Sequence, residues 1–217
     1  MSHNRLGALF DLDGVIIDSE GAYTEFWAEI GRRYGAPSPT FALDIKGTTL
    51  TDILSRHFPD PEVSNRIKKE LYEFESEAPF PLFEGAVDLL LELGKFGIAR
   101  AMVTSSDQTK MNSLRRRHPG LEDMFDVVVN GSMVSRSKPD PEGYLLAAQK
   151  LAVPIGLCAV FEDSLQGLEA GRNAHAGAVI GIATTNPVER IAPLCDLVIP
   201  SLRAFSRNRL EALLRKA

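Results

Sequence analysis

The feature that most constrains this chain is a set of short apolar runs, each closed by a polar or turn-forming residue. The runs span residues 6–10, 98–103, 127–129, 157–161, 178–182 and 197–199. Short apolar runs bounded by turn signals are typical of buried strands. Several of them end directly before a polar residue, as at Asp11, Thr104, Asn130 and Glu162. The sequence therefore predicts buried strands with polar side chains at their carboxyl ends.

Helical patterns alternate with these runs. They cover residues 86–96, 141–151, 164–173 and 207–216. For the second of them we expect Asp140 as the N-cap and Pro141 at the first helical position. Strands that alternate with helices predict an α/β fold, with a three-layer Rossmann-like core and a mostly parallel sheet. Ligands of such sheets bind beyond the carboxyl ends of the strands, so the polar residues there are the candidate site.

Residues 19–82 interrupt this alternation. They contain helical patterns at 21–34, 50–57 and 62–75, separated by prolines, and no convincing strand. This arrangement predicts a small all-helical domain, here called the cap, inserted after the first strand. The predicted boundaries are 19–82 for the cap and 1–18 with 83–217 for the core.

Composition excludes several classes of protein. The net charge of −5 argues against nucleic acid as the main partner, because a polyanion requires a basic face. No apolar run approaches the roughly 20 residues that cross a bilayer, so no membrane partner is expected. Residues 1–6 do not resemble a signal peptide, and Cys158 and Cys195 lie in apolar segments, as reduced core cysteines do. A cytoplasmic monomer is the expectation.

Two carboxylates follow the first run, in the segment that contains Asp11, Asp13 and Gly14. Glycine allows the backbone to turn sharply there. Like charges this close favour either a bound cation or a proton on one of them. An Asx turn is an alternative interpretation. An EF-hand loop is not, because the glycine comes at the fourth position of the loop instead of the sixth.

Three further segments end predicted strands or follow them closely. Thr104 and Ser105 could hold an anionic oxygen, or belong to a helix N-terminus. Lys138 stands beside a proline and could neutralise a phosphoryl oxygen or a carboxylate, or lie solvated at the surface. Glu162 and Asp163 would complete, with the first aspartate pair, an oxygen-rich site of the kind Mg²⁺ prefers, or they could cap a helix.

The order of these motifs along the chain resembles that of the haloacid dehalogenase superfamily. Within the superfamily, the chain is most similar to the β-phosphoglucomutase-like phosphatases with a small helical cap. The matching segments are FDLDGVIIDSE (10–20), VTSS (103–106), SKPDPEGYLLAA (137–148) and FEDSLQG (161–167). The resemblance implies a Mg²⁺-dependent phosphatase that hydrolyses a small phosphorylated metabolite, such as a sugar phosphate.

The resemblance also implies a role for each motif residue. Asp11 would be the nucleophile that forms an aspartyl-phosphate. Asp13 would be the general acid and then the general base, a role worth about 10²–10⁴-fold in rate. Thr104 and Lys138 would hold the transferring phosphoryl group. The implied Mg²⁺ ligands are Asp11, the backbone carbonyl of Asp13, and Asp163, with Glu162 nearby.

The cap is expected to select the substrate through the loop 45–50, with Lys46, Gly47 and the core residue Ser105 as substrate-binding candidates. Lys46 could meet a second anionic group or a sugar hydroxyl, or be an ordinary surface lysine. Sugar-phosphate mutases of this family carry a histidine and an arginine where this chain has Tyr23 and Leu50. Hydrolysis is therefore favoured over a β-phosphoglucomutase-type reaction, which stays an alternative. A non-catalytic binding protein on the same fold is a lesser alternative.

Overall fold

The computed structural model describes residues 5–36 and 38–215. Its sheet consists of β1 (Gly7–Phe10), β2 (Ala99–Val103), β3 (Val127–Val129), β4 (Cys158–Glu162), β5 (Ala178–Ile182) and β6 (Leu197–Ile199). All neighbouring strands are parallel, in the order β3-β2-β1-β4-β5-β6. Every predicted strand is present, with ends shifted by at most one residue.

The helices of the core are α5 (Ala86–Lys95), α6 (Gln108–Arg117), α7 (Glu142–Leu151), α8 (Leu165–Asn173), α9 (Val188–Ile191) and α10 (Arg207–Leu214). The prediction for the start of α7 was wrong by one residue. Pro141 occupies the N-cap position and Asp140 lies one residue further out, where its Oδ1 accepts a hydrogen bond from the Glu142 amide at 3.0 Å. The predicted end of the last helix, residue 216, lies outside the described residues.

The sheet has helices on both faces, as its alternating side chains require. Ala8 and Phe10 of β1 belong to the apolar cluster that includes Leu89 and Leu93 of α5. Leu9, between them, belongs to the opposite cluster, which includes residues of α7 and α8. The predicted three-layer α/β Rossmann-like fold is confirmed.

Strand β1 lies at the point where the chain changes direction across the sheet. Phe10 pairs with Met102 of β2 on one side and with Phe161 of β4 on the other. From β1 the chain moves outward through β2 to β3, and it returns beside β1 at β4 before moving the other way. The two sets of connections diverge there, which leaves a crevice beyond the carboxyl end of β1.

Four helices precede α5: α1 (Glu20–Tyr34), α2 (Phe41–Asp44), α3 (Leu50–His57) and α4 (Pro61–Glu77). The short α2 was not predicted, because four residues carry too little periodicity to recognise. These helices share their own apolar cluster, which includes Trp27, Ile30, Phe41, Ile53, Ile67 and Leu71. The two linkers to the core run side by side, since Ile17 bridges to Leu82. The boundaries 19–82 themselves stay a prediction.

Cys158 is buried and Cys195 partly buried, and neither forms a disulfide. Burial raises the pKa of the Cys158 thiol to about 12, so it remains an apolar packing group.

Within residues 5–36 and 38–215, no helix has the length and apolar character that crossing a membrane requires. The cytoplasmic location, the monomeric state and the lack of a nucleic-acid partner remain predictions.

Candidate active site

The loop after β1 turns tightly and carries both predicted aspartates to the crevice. The amide of Ile16 donates to the carbonyl of Leu12 at 2.8 Å, which closes the turn. Gly14 has φ of 75°, in the left-handed region that favours glycine. A Cβ at this position would run into the carboxylate of Asp163. The glycine therefore allows the loop after β1 to approach the end of β4.

Lys138 links the carboxylates at the ends of β1 and β4. Its Nζ lies 2.5 Å from Oδ1 of Asp11 and 2.6 Å from Oε1 of Glu162, and all three side chains are buried. Burial raises the pKa of Asp11 to about 8, although the Lys138 ammonium opposes the shift. The alternative of a solvated surface lysine is wrong. The Lys138 ammonium offsets the effect of burial only in part, and a bound cation would further favour the ionised form of Asp11.

Glu162 is fully buried and has hydrogen-bond partners on both carboxylate oxygens. Oε1 accepts from Lys138 and, at 2.7 Å, from the hydroxyl of Tyr144. Oε2 accepts from the Ser164 hydroxyl at 3.0 Å and from two backbone amides. These contacts make Glu162 foremost a support that holds Lys138 beside Asp11.

Asp163 is buried, and its Oδ2 has no hydrogen-bond partner among the residues that the structure describes. Burial raises the pKa of Asp163 well above its usual value, and the nearby carboxylates of Glu20, Glu162 and Asp11 add to the shift. Asp11, Glu162 and Asp163 each offer an oxygen within 4.8 Å of the others. An unpartnered buried oxygen beside other carboxylates fits a hard divalent cation.

The Asp13 side chain lies apart from that acidic group because it binds Lys110. Nζ of Lys110 is 2.5 Å and 2.6 Å from its two oxygens, and the hydroxyls of Ser19 and Ser106 also donate to it. Burial alone would raise the pKa of Asp13. Lys110 and the two hydroxyls outweigh burial and lower it. Lys110 and the two hydroxyls therefore favour the ionised form of Asp13.

Thr104 and Ser105 follow β2, opposite the aspartates. Oγ1 of Thr104 accepts from the Ser106 amide at 3.1 Å. The Ser105 hydroxyl donates to the carbonyl of Gly47 at 2.7 Å, so it joins the core to the cap loop. Gly47 has φ of 81°, which favours glycine at the contact. Both Thr104 and Ser105 line the cavity between core and cap.

The cap encloses this cavity from the side opposite the strand ends. Lys46 is partly buried and paired with Glu20, so its charge is already balanced within the cap. Apolar side chains form much of the remaining wall: Trp27, Ala42, Ile45, Leu50, Ile53 and Leu71. The cavity therefore has a charged end at the core and, on the cap side, an apolar wall that also contains Glu20, Lys46 and Glu75.

Helix α6 fastens the cap to the core. The Tyr72 hydroxyl donates to Oδ2 of Asp107 at 2.7 Å, and Arg117 donates to the carbonyl of Ser76 at 2.8 Å. Arg115 and Arg116 are exposed, as expected of a solvated helix face, whereas Arg117 is partly buried against the cap. α6 therefore carries both a cap contact in Arg117 and the Lys110 contact to the loop after β1.

Sequence reasoning missed three residues that the fold brings to the site. Lys110 lies in a polar helix, and nothing in its neighbours distinguishes it from a surface lysine. Glu75 is one of several acidic residues in α4, yet it is buried. Tyr144 donates a hydrogen bond to Glu162. It lies inside the family-like segment 137–148, so of the three residues it was the easiest to predict from the sequence.

The fold and the site define an α/β protein with a three-layer core, whose buried carboxylates converge beyond the carboxyl ends of neighbouring parallel strands. A family model described as haloacid dehalogenase-like hydrolase matches residues 7–175. The chain belongs to this family. The predicted membership of the haloacid dehalogenase superfamily is thus confirmed. The relatives described next are phosphatases, which confirms the prediction of a phosphoric monoester hydrolase.

Two of these relatives match over nearly their whole length. Hexitol phosphatase A of Escherichia coli K12 is 36% identical over 92% of this chain and 93% of its own. Validoxylamine A 7'-phosphate phosphatase of Streptomyces hygroscopicus subsp. limoneus is 32% identical, over 90% and 93%. A crystal structure of β-phosphoglucomutase from Clostridium difficile superposes with a TM-score of 0.82, at 22% identity and 98% of each chain, and shows the shared fold.

Proposed function

We propose that this protein is a Mg²⁺-dependent phosphatase that hydrolyses a small phosphorylated metabolite of the sugar-phosphate kind. The observation that carries the proposal is the position of Asp11, which lies beside the buried Lys138 ammonium and within reach of a cation shared with Asp163, whose Oδ2 has no hydrogen-bond partner among the described residues. The names of the relatives support a phosphate monoester as substrate.

The first step is transfer of the phosphoryl group to the protein. A carboxylate oxygen of Asp11 attacks phosphorus, and the bond from phosphorus to the ester oxygen breaks. Asp13 enters this step carrying the proton that it accepted from water in the previous turnover, against the preference of Lys110 for its ionised form. It donates that proton to the departing oxygen, which leaves as an alcohol. Thr104 and Lys138 hold the phosphoryl oxygens as their charge is redistributed.

The second step is hydrolysis of the aspartyl-phosphate. A water molecule attacks phosphorus while Asp13 accepts its proton, and the bond between phosphorus and Asp11 breaks. Inorganic phosphate leaves and the Asp11 carboxylate is restored. The ionised form of Asp13, which Lys110 favours, is the form that this base step requires.

The residues that would hold Mg²⁺ are Asp11, Asp163 and the backbone carbonyl of Asp13, with Glu162 nearby. When bound, the ion supplies positive charge that screens the repulsion between an anionic nucleophile and an anionic phosphate. Of the two acidic residues at the end of β4, Asp163 is the better ligand because its Oδ2 lacks a partner within the described chain.

Hydrolysis is favoured over mutase action by the charges around the cavity. A mutase must hold a bisphosphate at both ends while it reorients. Leu50 lies in the cavity wall and offers no phosphate contact, and Lys46 is paired with Glu20.

We also propose residues 19–82 as the cap that closes over the substrate, supported by the Ser105–Gly47 hydrogen bond.

The test is phosphate release from a panel of phosphorylated metabolites, with Mg²⁺ and with chelator. Asp11→Asn keeps the shape of the side chain but removes the nucleophile. Metal-dependent release by the wild type, lost in this variant and kept in Asp123→Asn at an exposed site, is the expected result. No release on any substrate would overturn the proposal. Product analysis on a hexose 1-phosphate, with and without a bisphosphate primer, separates hydrolysis from mutase action.

A further inference from the structure

The cap end of the cavity contains a buried carboxylate that the proposed reaction does not use. Glu75 belongs to α4, is 5% exposed and lines the cavity. Its Oε1 accepts a hydrogen bond from the hydroxyl of Tyr23 at 2.7 Å. Its Oε2 is buried and has no hydrogen-bond partner within residues 5–36 and 38–215. One oxygen of this carboxylate is thus held in place while the other lacks a donor.

An unpaired buried carboxylate oxygen is costly, and the protein would gain stability from a donor that reached it. Burial raises the pKa of Glu75 to about 7, although the Lys110 ammonium opposes the shift. Lys110 itself binds both oxygens of Asp13. The described chain therefore offers Glu75 one hydroxyl partner and a cation that is already engaged elsewhere.

The charges around the cavity indicate what kind of donor fits. At the cap side, Glu20 and Glu75 are both acidic. Lys46 is paired with Glu20, so it does not offset the charge of Glu75. A leaving group that carried a carboxylate or a second phosphate would be repelled by the ionised Glu75, whose charge neither Lys46 nor Lys110 balances because each is paired with another carboxylate. A neutral hydroxyl or a protonated amine would not.

We propose that Glu75 determines which leaving group the enzyme accepts, by accepting a hydrogen bond from a hydroxyl or amino group remote from the phosphate. The substrate class is then the monophosphate of a neutral polyol or amino-polyol, and acidic sugar phosphates are rejected. The apolar walls formed by Trp27 and Leu71 would pack against the carbon chain between the two ends. This inference rests on the proposed phosphatase function.

The test compares two substrates that differ at one carbon. Glucitol 6-phosphate ends in a hydroxymethyl group and 6-phosphogluconate in a carboxylate. At pH 8, where Glu75 is ionised, the wild type is expected to favour the first in kcat/KM. In Glu75→Gln, which removes the negative charge, the preference should fall by about tenfold, the size of one charged hydrogen bond. Glu73→Gln, exposed on the same helix, should keep the wild-type preference.

The outcomes separate the two proposals. A wild type that releases no phosphate from any substrate, even p-nitrophenyl phosphate, overturns the phosphatase function and this inference with it. A wild type that is active but prefers 6-phosphogluconate overturns the role of Glu75 alone, and that result needs no variant. An unchanged preference in Glu75→Gln also overturns it. A loss of preference in Glu75→Gln, with Glu73→Gln unaffected, supports it.

Discussion

Nζ of Lys110 lies 2.5 Å and 2.6 Å from the two carboxylate oxygens of Asp13. The contact joins α6 to the loop after β1. It is sheltered by aromatic rings, because the same nitrogen lies 4.4 Å from the centroid of Tyr23 and 5.4 Å from that of Phe80. Tyr23 belongs to the cap, so a single lysine connects the proposed acid and base with the domain that covers it.

Lys110→Met should slow catalysis and also destabilise the fold, because it leaves the Asp13 carboxylate without its cation. Methionine keeps the apolar stem against the aromatic rings and removes the ammonium that orients Asp13. We expect kcat to fall by about tenfold or more, within the range for general acid–base catalysis. Steady-state kinetics on the best substrate would measure it, with Lys150→Met at an exposed site as the control. An unchanged kcat would show that Asp13 needs no support from Lys110.

Lys138→Met should abolish turnover and also destabilise the fold. It leaves Asp11 and Glu162 buried without their shared cation, a loss that typically costs about 3–5 kcal/mol. Urea unfolding with the metal chelated would measure the cost. The double variant Lys138→Met/Glu162→Gln should recover part of the stability and none of the activity. Recovery of activity would contradict the role of Lys138 in holding the phosphoryl group.

Ser105→Ala should weaken the contact between core and cap loop. The lost hydrogen bond to the Gly47 carbonyl is worth about 1 kcal/mol, so we expect KM to rise by about fivefold with kcat little changed. Substrate titration would measure both constants. A fall in kcat at constant KM would instead indicate that the Ser105 hydroxyl stabilises the transition state.

Mg²⁺ should stabilise the wild type against heat, and Asp163→Asn should abolish that effect. At a Mg²⁺ concentration one hundred times the Kd, the gain for the wild type is about 2.7 kcal/mol. Thermal unfolding with Mg²⁺ and with chelator would measure it without reference to activity. The variant alone should not lose stability, because it removes a buried charge whose Oδ2 has no partner in the described chain. Equal Mg²⁺ effects in both proteins would exclude Asp163 as a ligand.

With rising pH, the free energy of unfolding of the wild type should fall more steeply than that of Glu75→Gln. Burial raises the pKa of Glu75 from 4.5 to about 7, so the folded state binds more protons than the unfolded state between these values. The free energy of unfolding therefore decreases as pH rises through this window, by about 3 kcal/mol. Urea unfolding at several pH values between 5 and 8 would measure the difference. The exposed control Glu73→Gln should follow the wild type, and parallel curves for all three proteins would contradict the shift.

Much of the core could be predicted because its signals are local. The run that became β4 is apolar throughout and ends in two acidic residues, which marks both the strand and the site. The cap was harder to predict. Its helices were recognised except for the four-residue α2, but nothing in the acidic and basic pattern of α4 distinguished Glu75 from its exposed neighbour Glu73.

The sequence by itself determined the order of strands and helices, the place of the inserted helices and the motif residues Asp11, Asp13, Thr104, Lys138 and Asp163. Periodicity predicts the elements because it reflects residues close together along the chain, whereas the motif residues follow from their order at the predicted strand ends and from the family resemblance. Only the tertiary structure decided which polar side chains pair: Lys110 with Asp13, Lys46 with Glu20, and Tyr23 with Glu75. The first pair is separated by 97 residues, and such contacts depend on how helices pack and what they bury. Burial then sets the pKa of each carboxyl group and the free-energy cost of each unpaired oxygen. Neither can be predicted from local sequence.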